Sequence, residues 1–451
     1  MSQTIAINDN CIQGYTLKSS ELAHKDNLSK LSAKPIGKLT IDEYPNLLVF
    51  PLCLNDCKDD ISNKFIFTLR DSTIYTGNIM GFVGYNGTRL RIYSRFAQKD
   101  SQDYFMHYML QKVFAVNLFN LKYTSNSDSI FDFLIYLFPA FLKRAMIQGM
   151  YREYQTKHYN DSHVRGRIDI SRHIKQNIPF TGKIAYSSRE YTADNAVTQL
   201  IRHTIEFISH HPYCGNLLQN DEETKRNVAL IKAATNSTYN HRDRQRVINQ
   251  NLRAIRHPYY SEYRNLQKLS LLILRHEELK FGNSNDEIYG ILFDGAWLWE
   301  EYLAIILKDV MTHYTQKNSP FHLFRRKDKT TFQQIVPDFY NSKLNIVADA
   351  KYIPLQEKDK LSGDQALSIY YKTVMYMHRF NCKNGFLLYP ATKCHAEPLQ
   401  IEETDGKLHK IGLAIPQNAT KWDEFITQMT ENEEKFLEQL PPLCHTITYS
   451  A

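Results

Sequence analysis

The chain has 451 residues and a formal net charge of +7, and 43% of its residues are hydrophobic and 23% charged. This length exceeds what one hydrophobic core usually serves, so two or three globular domains are expected, and the composition excludes a fibrous repeat and a largely disordered chain. The longest apolar run, residues 133–142, falls short of the roughly 20 residues that a membrane-spanning helix needs. The N-terminus does not resemble a secretory signal and the seven cysteines are scattered, so we expect a cytoplasmic protein with no membrane contact.

Residues 1–103 show the pattern of a β-rich domain. Residues 1–35 are polar and favour a short edge strand or a loose arm, and short β-prone segments separated by turn residues follow over 47–96. The pair Asn86-Gly87 stands between two alternating runs, which is the sequence pattern of a type I′ hairpin.

Residues 104–283 are predicted to form a mainly helical domain. Apolar residues recur three and four positions apart over 130–150 and again over 262–278. Asp194 is placed to cap a helix that runs to about residue 210. One strand pair and two more helices are predicted in the same segment, over 164–170 with 182–186, 222–234 and 242–255.

Basic residues are concentrated in part of this helical segment. Residues 141–260 contain 19 Lys and Arg against 10 Asp and Glu. The surplus fits either a surface for DNA phosphates or the solvated face of a helical domain, and charge alone does not decide between the two.

Residues 284–451 show a different alternation of elements. A strand is predicted over 287–293 and a helix over 297–313, and a helix that contains Trp422 closes the chain. Between them lie two apolar strands, a helix and a further strand, predicted over 334–340, 344–351, 364–379 and 386–389. This order predicts an α/β domain, so the whole chain is expected to be an α+β multidomain protein.

Two of these strands carry charged residues in a pattern that suggests chemistry. Pro337-Asp338 lies on the first, and Asp349-Ala350-Lys351 follows eleven residues after Asp338 on the second. Residues i and i+2 of a strand point to one face, so Asp349 and Lys351 project together, and the turn between the strands can bring Asp338 beside them. Two carboxylates can hold Mg²⁺ or Mn²⁺, which polarises a phosphodiester and activates water.

The motif is short, and an ordinary surface ion pair is the alternative explanation. The context favours a site, because apolar strands that end in charged residues are better explained by a site than by surface decoration. An acidic pair, Glu300-Glu301, also precedes the strands on a predicted helix. Beside carboxylates, Lys351 is expected to orient water or stabilise developing negative charge rather than to abstract a proton.

At these residues the sequence resembles the McrC and LlaJI family of restriction-system nuclease subunits, within the PD-(D/E)xK superfamily. The likeness extends over most of residues 80–390. Further segments that resemble the family are Gly81–Phe96, with Ser94 where a proline is common, Arg165–Asp169, Tyr191–Leu200 with Asn195, His257–Tyr260 and Trp299–Tyr302.

The resemblance implies a C-terminal nuclease domain of the restriction-endonuclease type. It makes Asp338 and Asp349 metal ligands for Mg²⁺ or Mn²⁺, Lys351 the catalytic lysine, and Glu300 the helix carboxylate that completes the metal site, with Glu301 as the fallback. The chain departs from the family at Lys372, which stands where a glutamine is common. A cation there can contact a phosphate or weaken metal binding.

The resemblance also implies partners. Such subunits work with an AAA+ GTPase or ATPase hexamer on double-stranded DNA, methylated or unmodified, and the N-terminal domain would dock on that motor. This sequence lacks a Gly-x-x-x-x-Gly-Lys-Ser/Thr motif, so the partner is expected to bind the nucleotide. Arg165, Arg167 and Lys372 are candidate DNA contacts, and domain packing is the alternative role for the two arginines.

Two other functions stay open on the sequence. The chain can be a non-catalytic adaptor of the motor with a decayed nuclease fold, for which Lys372 is the best support. It can also be a stand-alone nuclease of repair or transposition, which shares the chemistry and needs no motor.

Overall fold

The computed structural model describes residues 3–38, 47–51, 63–97, 103–114, 128–211, 215–280, 288–316, 318–353 and 363–440. The chain divides into two units, of which the first combines residues 1–118 with 284–451 and the second spans 119–283. Both contain helices and sheets, so the predicted α+β class is confirmed. Within the described ranges, no helix is long and apolar enough to cross a membrane.

The first unit is built from the two ends of the chain. Its N-terminal part contains β1 (Gln3–Asn8), β2 (Tyr15–Thr16), α1 (Lys25–Ser32), β3 (Leu47–Phe50), β4 (Phe67–Arg70), β5 (Thr73–Thr76), β6 (Ile79–Tyr85), β7 (Thr88–Tyr93) and α2 (Tyr104–Phe114). The elements of the second unit are α3 (Asp128–Ile147), β8 (Glu153–Asp161), β9 (Arg167–Ile168), α4 (Ile170–Gln176), β10 (Ile184–Thr192), α5 (Ala196–Ser209), α6 (Glu222–Thr235), α7 (Arg244–Gln250) and α8 (Ser261–Lys280). The C-terminal part of the first unit contains β11 (Tyr289–Asp294), α9 (Gly295–Ile306), β12 (Thr312–His313), β13 (His322–Arg325), β14 (Thr331–Gln334), β15 (Phe339–Asn341), β16 (Ile346–Ala350), α10 (Gly363–Phe380), β17 (Asn384–Ala391), β18 (His395–Gln400), β19 (Lys407–Ala414) and α11 (Trp422–Glu438).

A five-stranded sheet, ordered β1-β7-β6-β11-β3, joins the two ends of the chain. The predicted hairpin is confirmed, since Tyr85 pairs with Thr88 and the two turn residues, Asn86 and Gly87, have φ of 45° and 75°. Strand β1 lies at the sheet edge, as expected for the polar N-terminus. At Gly81 a Cβ would lie 2.1 Å from the carbonyl oxygen of a β11 residue, so only glycine allows the strands to approach this closely.

The two structural units differ from the three domains predicted with boundaries at residues 103 and 283. The reason is the pairing of strand β11. This strand pairs with β6 on one side and β3 on the other, so the first and third segments share a sheet. Its residues Ile291, Leu292 and Phe293 are buried. A strand that is apolar on both faces carries no periodicity that indicates its partners.

A six-stranded mixed sheet, ordered β12-β15-β16-β17-β19-β18, forms the C-terminal part. Strands β15 and β16 are antiparallel, whereas β16 and β17 are parallel and α10 connects them. The helix predicted over 297–313 ends at Ile306. Of the strand predicted over 334–340, only Phe339 and Tyr340 lie in β15, Gln334 ends β14, and Asp338 directly precedes β15. Strands β12, β13, β14, β18 and β19 were not predicted.

The second unit contains helices and a three-stranded sheet, ordered β8-β10-β9. The main partner of β10 is β8, which the sequence patterns did not predict, and the predicted partner run contributes only Arg167 and Ile168. The predicted cap is wrong by one residue. Asn195, and not Asp194, is the N-cap of α5, because Asn195 is extended and its side chain accepts a hydrogen bond from the Thr198 amide at 3.0 Å.

Candidate active site

Asp338 and Asp349 lie side by side where β15 meets β16. Phe339 pairs with Ala348, and continuing that antiparallel register by one residue places Asp338 opposite Asp349. Oδ2 of Asp338 accepts a hydrogen bond from the Ala350 amide at 2.6 Å. Both carboxylates are buried, with relative exposures of 3% and 0%. The structure therefore brings together the two predicted metal ligands, through local strand pairing.

Two lysines bring positive charge to Asp349. The Lys351 ammonium forms an ion pair with Oδ2, and the Lys372 ammonium lies 3.5 Å from Oδ1. Burial raises the pKa of the Asp349 carboxyl, the neighbouring Asp338 raises it further, and the two lysines act in the opposite direction. Because the pKa stays raised, the buried acidic pair favours binding of additional positive charge.

The backbone fixes Lys351 at the end of β16. Its amide donates a hydrogen bond to the Leu388 carbonyl of β17 at 2.8 Å. The indole Nε1 of Trp299, on α9, donates to the same oxygen at 3.2 Å. One carbonyl thus joins the lysine strand to the helix that carries Glu300. The spacing of Asp349 and Lys351 predicted their shared face, and their ion pair agrees with it.

Lys372 reaches the site from α10. Its ammonium lies 5.8 Å from the ring centroid of Tyr376, one helical turn later. The Tyr376 hydroxyl donates a hydrogen bond to the Val336 carbonyl at 2.8 Å, two residues before Asp338. Tyr376 is therefore a site residue that sequence reasoning missed, and its spacing of four from Lys372 was the available signal.

Glu300 is placed differently from the two aspartates. Its Oε1 lies 2.8 Å from Nε2 of His313 on β12, and the imidazole packs against Phe339 with ring centroids 5.2 Å apart. Among the described residues, no three His, Cys, Asp or Glu side chains form a group that could hold a metal. The role of Glu300 as a third ligand, and of Glu301 as its fallback, stays a prediction.

The aspartate pair fits a hard divalent cation. Adjacent buried carboxylates offer the oxygen ligands that Mg²⁺ prefers, and a bound cation would offset the burial and the repulsion from Asp338 that together raise the pKa of Asp349. Asp338 and Asp349 are the residues that would hold it.

Arg165 and Arg167 belong to the second unit. Arg165 packs within its own sheet, where its Nε donates to the Tyr186 hydroxyl at 3.4 Å and its guanidinium lies over the Tyr159 ring at 5.4 Å. Between the arginines, a Cβ at Gly166 would lie 2.2 Å from the Ser187 carbonyl oxygen. This segment therefore has a structural role that accounts for its glycine.

The comparison with protein families agrees with the resemblance. The family model described as McrBC 5-methylcytosine restriction system component matches residues 74–390. No curated protein matches the chain. One similar solved structure is a half-complex of Thermococcus gammatolerans McrB AAA+ hexamers with bound McrC, at 16% identity and a TM-score of 0.43 over 95% of this chain and 100% of that one. Another is the cryo-EM structure of the Thermococcus gammatolerans McrBC complex, at 15% identity and a TM-score of 0.29 over 68% of this chain and 87% of that one. Because the family model covers more than half of the sequence, the chain belongs to the family of McrBC 5-methylcytosine restriction system components.

Proposed function

We propose that this chain is the DNA-cleaving subunit of an McrBC-type restriction complex and that its nuclease domain has the PD-(D/E)xK fold. The buried pair of Asp338 and Asp349, with Lys351 in contact, carries the proposal. An acidic pair with an adjacent ammonium is suited to metal-assisted phosphodiester hydrolysis. Mg²⁺ or Mn²⁺ bound there would polarise the scissile phosphate and lower the pKa of an attacking water.

The protein residues have separate roles in this chemistry. Asp338 and Asp349 bind the cation, and the hydrogen bond from the Ala350 amide fixes the Asp338 carboxylate. Lys351 stabilises the negative charge that develops on the phosphate and orients the attacking water. Its position is set before DNA binds, because the Leu388 carbonyl holds its backbone. Glu300 completes the metal site from α9.

The proposal includes two partners, and membership of the McrBC family supports both. The first is an AAA+ McrB-like GTPase or ATPase hexamer. Residues 1–103 would dock on this hexamer and stimulate its hydrolysis of GTP or ATP. The second is double-stranded DNA, for which the family description points to 5-methylcytosine. Arg165, Arg167 and Lys372 are the proposed DNA contacts.

The test is cleavage of methylated plasmid DNA by the complex of this chain with its motor partner. Asp349→Asn and Lys351→Gln are each expected to lower the cleavage rate roughly a hundredfold or more, and EDTA is expected to stop cleavage. Lys343→Gln is the matched control, because Lys343 is exposed in the turn between β15 and β16. Undiminished cleavage by both site variants would contradict the proposal.

A non-catalytic adaptor is the second candidate, and the contact of Lys372 with Asp349 favours it. An ammonium at that carboxylate competes with a metal for the same oxygen. The adaptor would stimulate nucleotide hydrolysis by the motor, and any DNA cleavage by the complex would not depend on Asp349. Cleavage by the chain without any partner would instead identify a stand-alone nuclease of repair or transposition.

A further inference from the structure

The hairpin of β13 and β14, residues 322–334, is an exposed two-stranded ribbon that lies outside the candidate active site. All four residues of β14 are exposed. Phe324 and Phe332 are 51% and 41% exposed, and their rings stack on one another with centroids 5.2 Å apart. A two-stranded ribbon has too little apolar burial to be stable alone, so its order depends on how its base is held.

The base of the ribbon is attached to the end of α10. Arg379 of α10 donates a hydrogen bond from Nε to the His322 carbonyl at 2.7 Å. Phe321, just before the ribbon, packs on Phe380 with ring centroids 4.8 Å apart. The same helix carries Lys372. Asp338 follows four residues after the end of β14, so the ribbon leads directly into the segment that carries the acidic pair.

The tip of the ribbon is a turn rich in basic residues. The only acidic residue there, Asp328, accepts hydrogen bonds from the Thr330 amide at 3.0 Å and hydroxyl at 2.6 Å, and these bonds lower the pKa of its carboxyl. Its carboxylate is therefore used to shape the turn. The exposed cations of the tip are Arg325, Arg326, Lys327 and Lys329.

Little in the described part of the protein neutralises these cations. Arg326 lies over the Phe332 ring, 4.8 Å from its centroid. Arg325, Lys327 and Lys329 form no ion pair with any carboxylate that the structure describes. Four exposed cations, with little neutralising charge among the described residues and an exposed aromatic pair beside them, fit a polyanion with apolar surface, which is the chemistry of nucleic acid.

We propose that the β13–β14 ribbon binds the DNA duplex next to the scissile bond, with its tip cations on backbone phosphates and its aromatic pair against the sugars. This proposal rests on the function proposed above and adds the surface that holds the substrate. A two-stranded ribbon is narrow enough to enter the major groove of a duplex. Because the contacts are to the backbone, binding by the ribbon does not depend on base sequence.

The test measures binding of the full-length chain to a fluorescent DNA duplex by anisotropy, over a range of salt concentrations and with Ca²⁺ replacing Mg²⁺. Lys327→Ala/Lys329→Ala is expected to weaken binding about tenfold at low salt and to reduce the slope of log K against log salt by about two. The matched control is Lys421→Ala/Lys435→Ala. This variant removes two exposed lysines, one at the N-cap position of α11 and one within the helix. We expect this control to bind as the unchanged chain does.

Two results would overturn the proposal: no DNA binding by the unchanged chain, or equal affinity and slope for the ribbon variant and the control. Asp349→Asn, measured in the same assay and in the cleavage assay, separates this inference from the proposed function. If cleavage depends on Asp349 but binding does not depend on the ribbon, only the inference fails. If binding depends on the ribbon but cleavage does not depend on Asp349, only the proposed function fails.

Discussion

The ammonium of Lys372 lies 3.5 Å from Oδ1 of Asp349, on a carboxylate that also pairs with Lys351. The family resemblance places a glutamine at this position. The structure shows that the lysine contacts a candidate metal ligand directly. A divalent cation bound at Asp349 would therefore compete with the Lys372 ammonium for the same carboxylate.

Replacement of Lys372 should strengthen metal binding. In Lys372→Gln the competing charge is lost, and because the Lys372 side chain is 34% exposed, we expect a gain of only about 1 kcal/mol, or roughly fivefold in Mn²⁺ affinity. Calorimetric titration with Mn²⁺ in the absence of DNA measures this directly. Lys372→Arg keeps the charge and is the control, and weaker metal binding by Lys372→Gln would contradict the competition.

The two acidic residues of α9 can be told apart by a paired substitution. Glu300 contacts His313, whose ring packs on Phe339, the residue next to Asp338. We expect Glu300→Gln to raise the Mg²⁺ concentration needed for half-maximal cleavage about tenfold or more, as loss of an orienting or ligating carboxylate does. Glu301→Gln should leave it unchanged. A larger effect of Glu301→Gln would assign the role to the fallback residue.

Asp9 should make the stability of the first unit depend on pH. Burial raises the pKa of this carboxyl from 3.8 to about 6, although the Arg95 charge acts against the shift. The folded protein therefore binds a proton more readily than the unfolded chain, so stability increases as the pH falls from about 6 to about 4. Above pH 6 the buried charge lowers stability by up to about 3 kcal/mol.

The substitution Asp9→Asn tests this sign, because the amide oxygen can still accept the 2.7 Å hydrogen bond from the Arg95 amide. The change in the free energy of unfolding caused by Asp9→Asn should be more favourable at pH 8 than at pH 5. Chemical denaturation at the two pH values gives the difference. A variant that is destabilised most at pH 8 would show that the ion pair with Arg95 outweighs burial.

The sequence predicted what depends on neighbours along the chain. Asn86 and Gly87 determine their own turn, and Asp349 and Lys351 share a face because a strand alternates. It did not predict the contacts between distant segments. The hydrogen bond between Asp9 and Arg95 and the placement of β11 between β6 and β3 depend on tertiary packing, which no local pattern encodes.

The site shows the same division. Asp338 was predicted because its strand precedes the Asp349 strand across a short turn, so the pairing is local. Lys372 and Tyr376 reach the site through the packing of α10, and the His313 partner of Glu300 lies on a short strand whose position depends on β15. The β13–β14 ribbon was missed because all four residues of β14 are exposed and the strand lacks the apolar alternation that indicates a strand.

Asn195, one of the residues that carried the family resemblance, should be needed for the stability of the second unit. Its side chain is 2% exposed, accepts from the Thr198 amide and donates to the Tyr151 and Ala193 carbonyls, both at 3.1 Å. Asn195→Ala removes the α5 cap and leaves buried partners unsatisfied, so the free energy of unfolding should fall by about 2–3 kcal/mol. Asp194→Ala is the matched control. The Asp194 side chain accepts a bond from Gln199 at 2.6 Å at a half-buried position, so its loss should cost less than about 1 kcal/mol. Denaturant unfolding of both variants decides which residue is the N-cap of α5. A larger loss of unfolding free energy for Asp194→Ala would show that Asp194, the residue predicted from the sequence, is the cap.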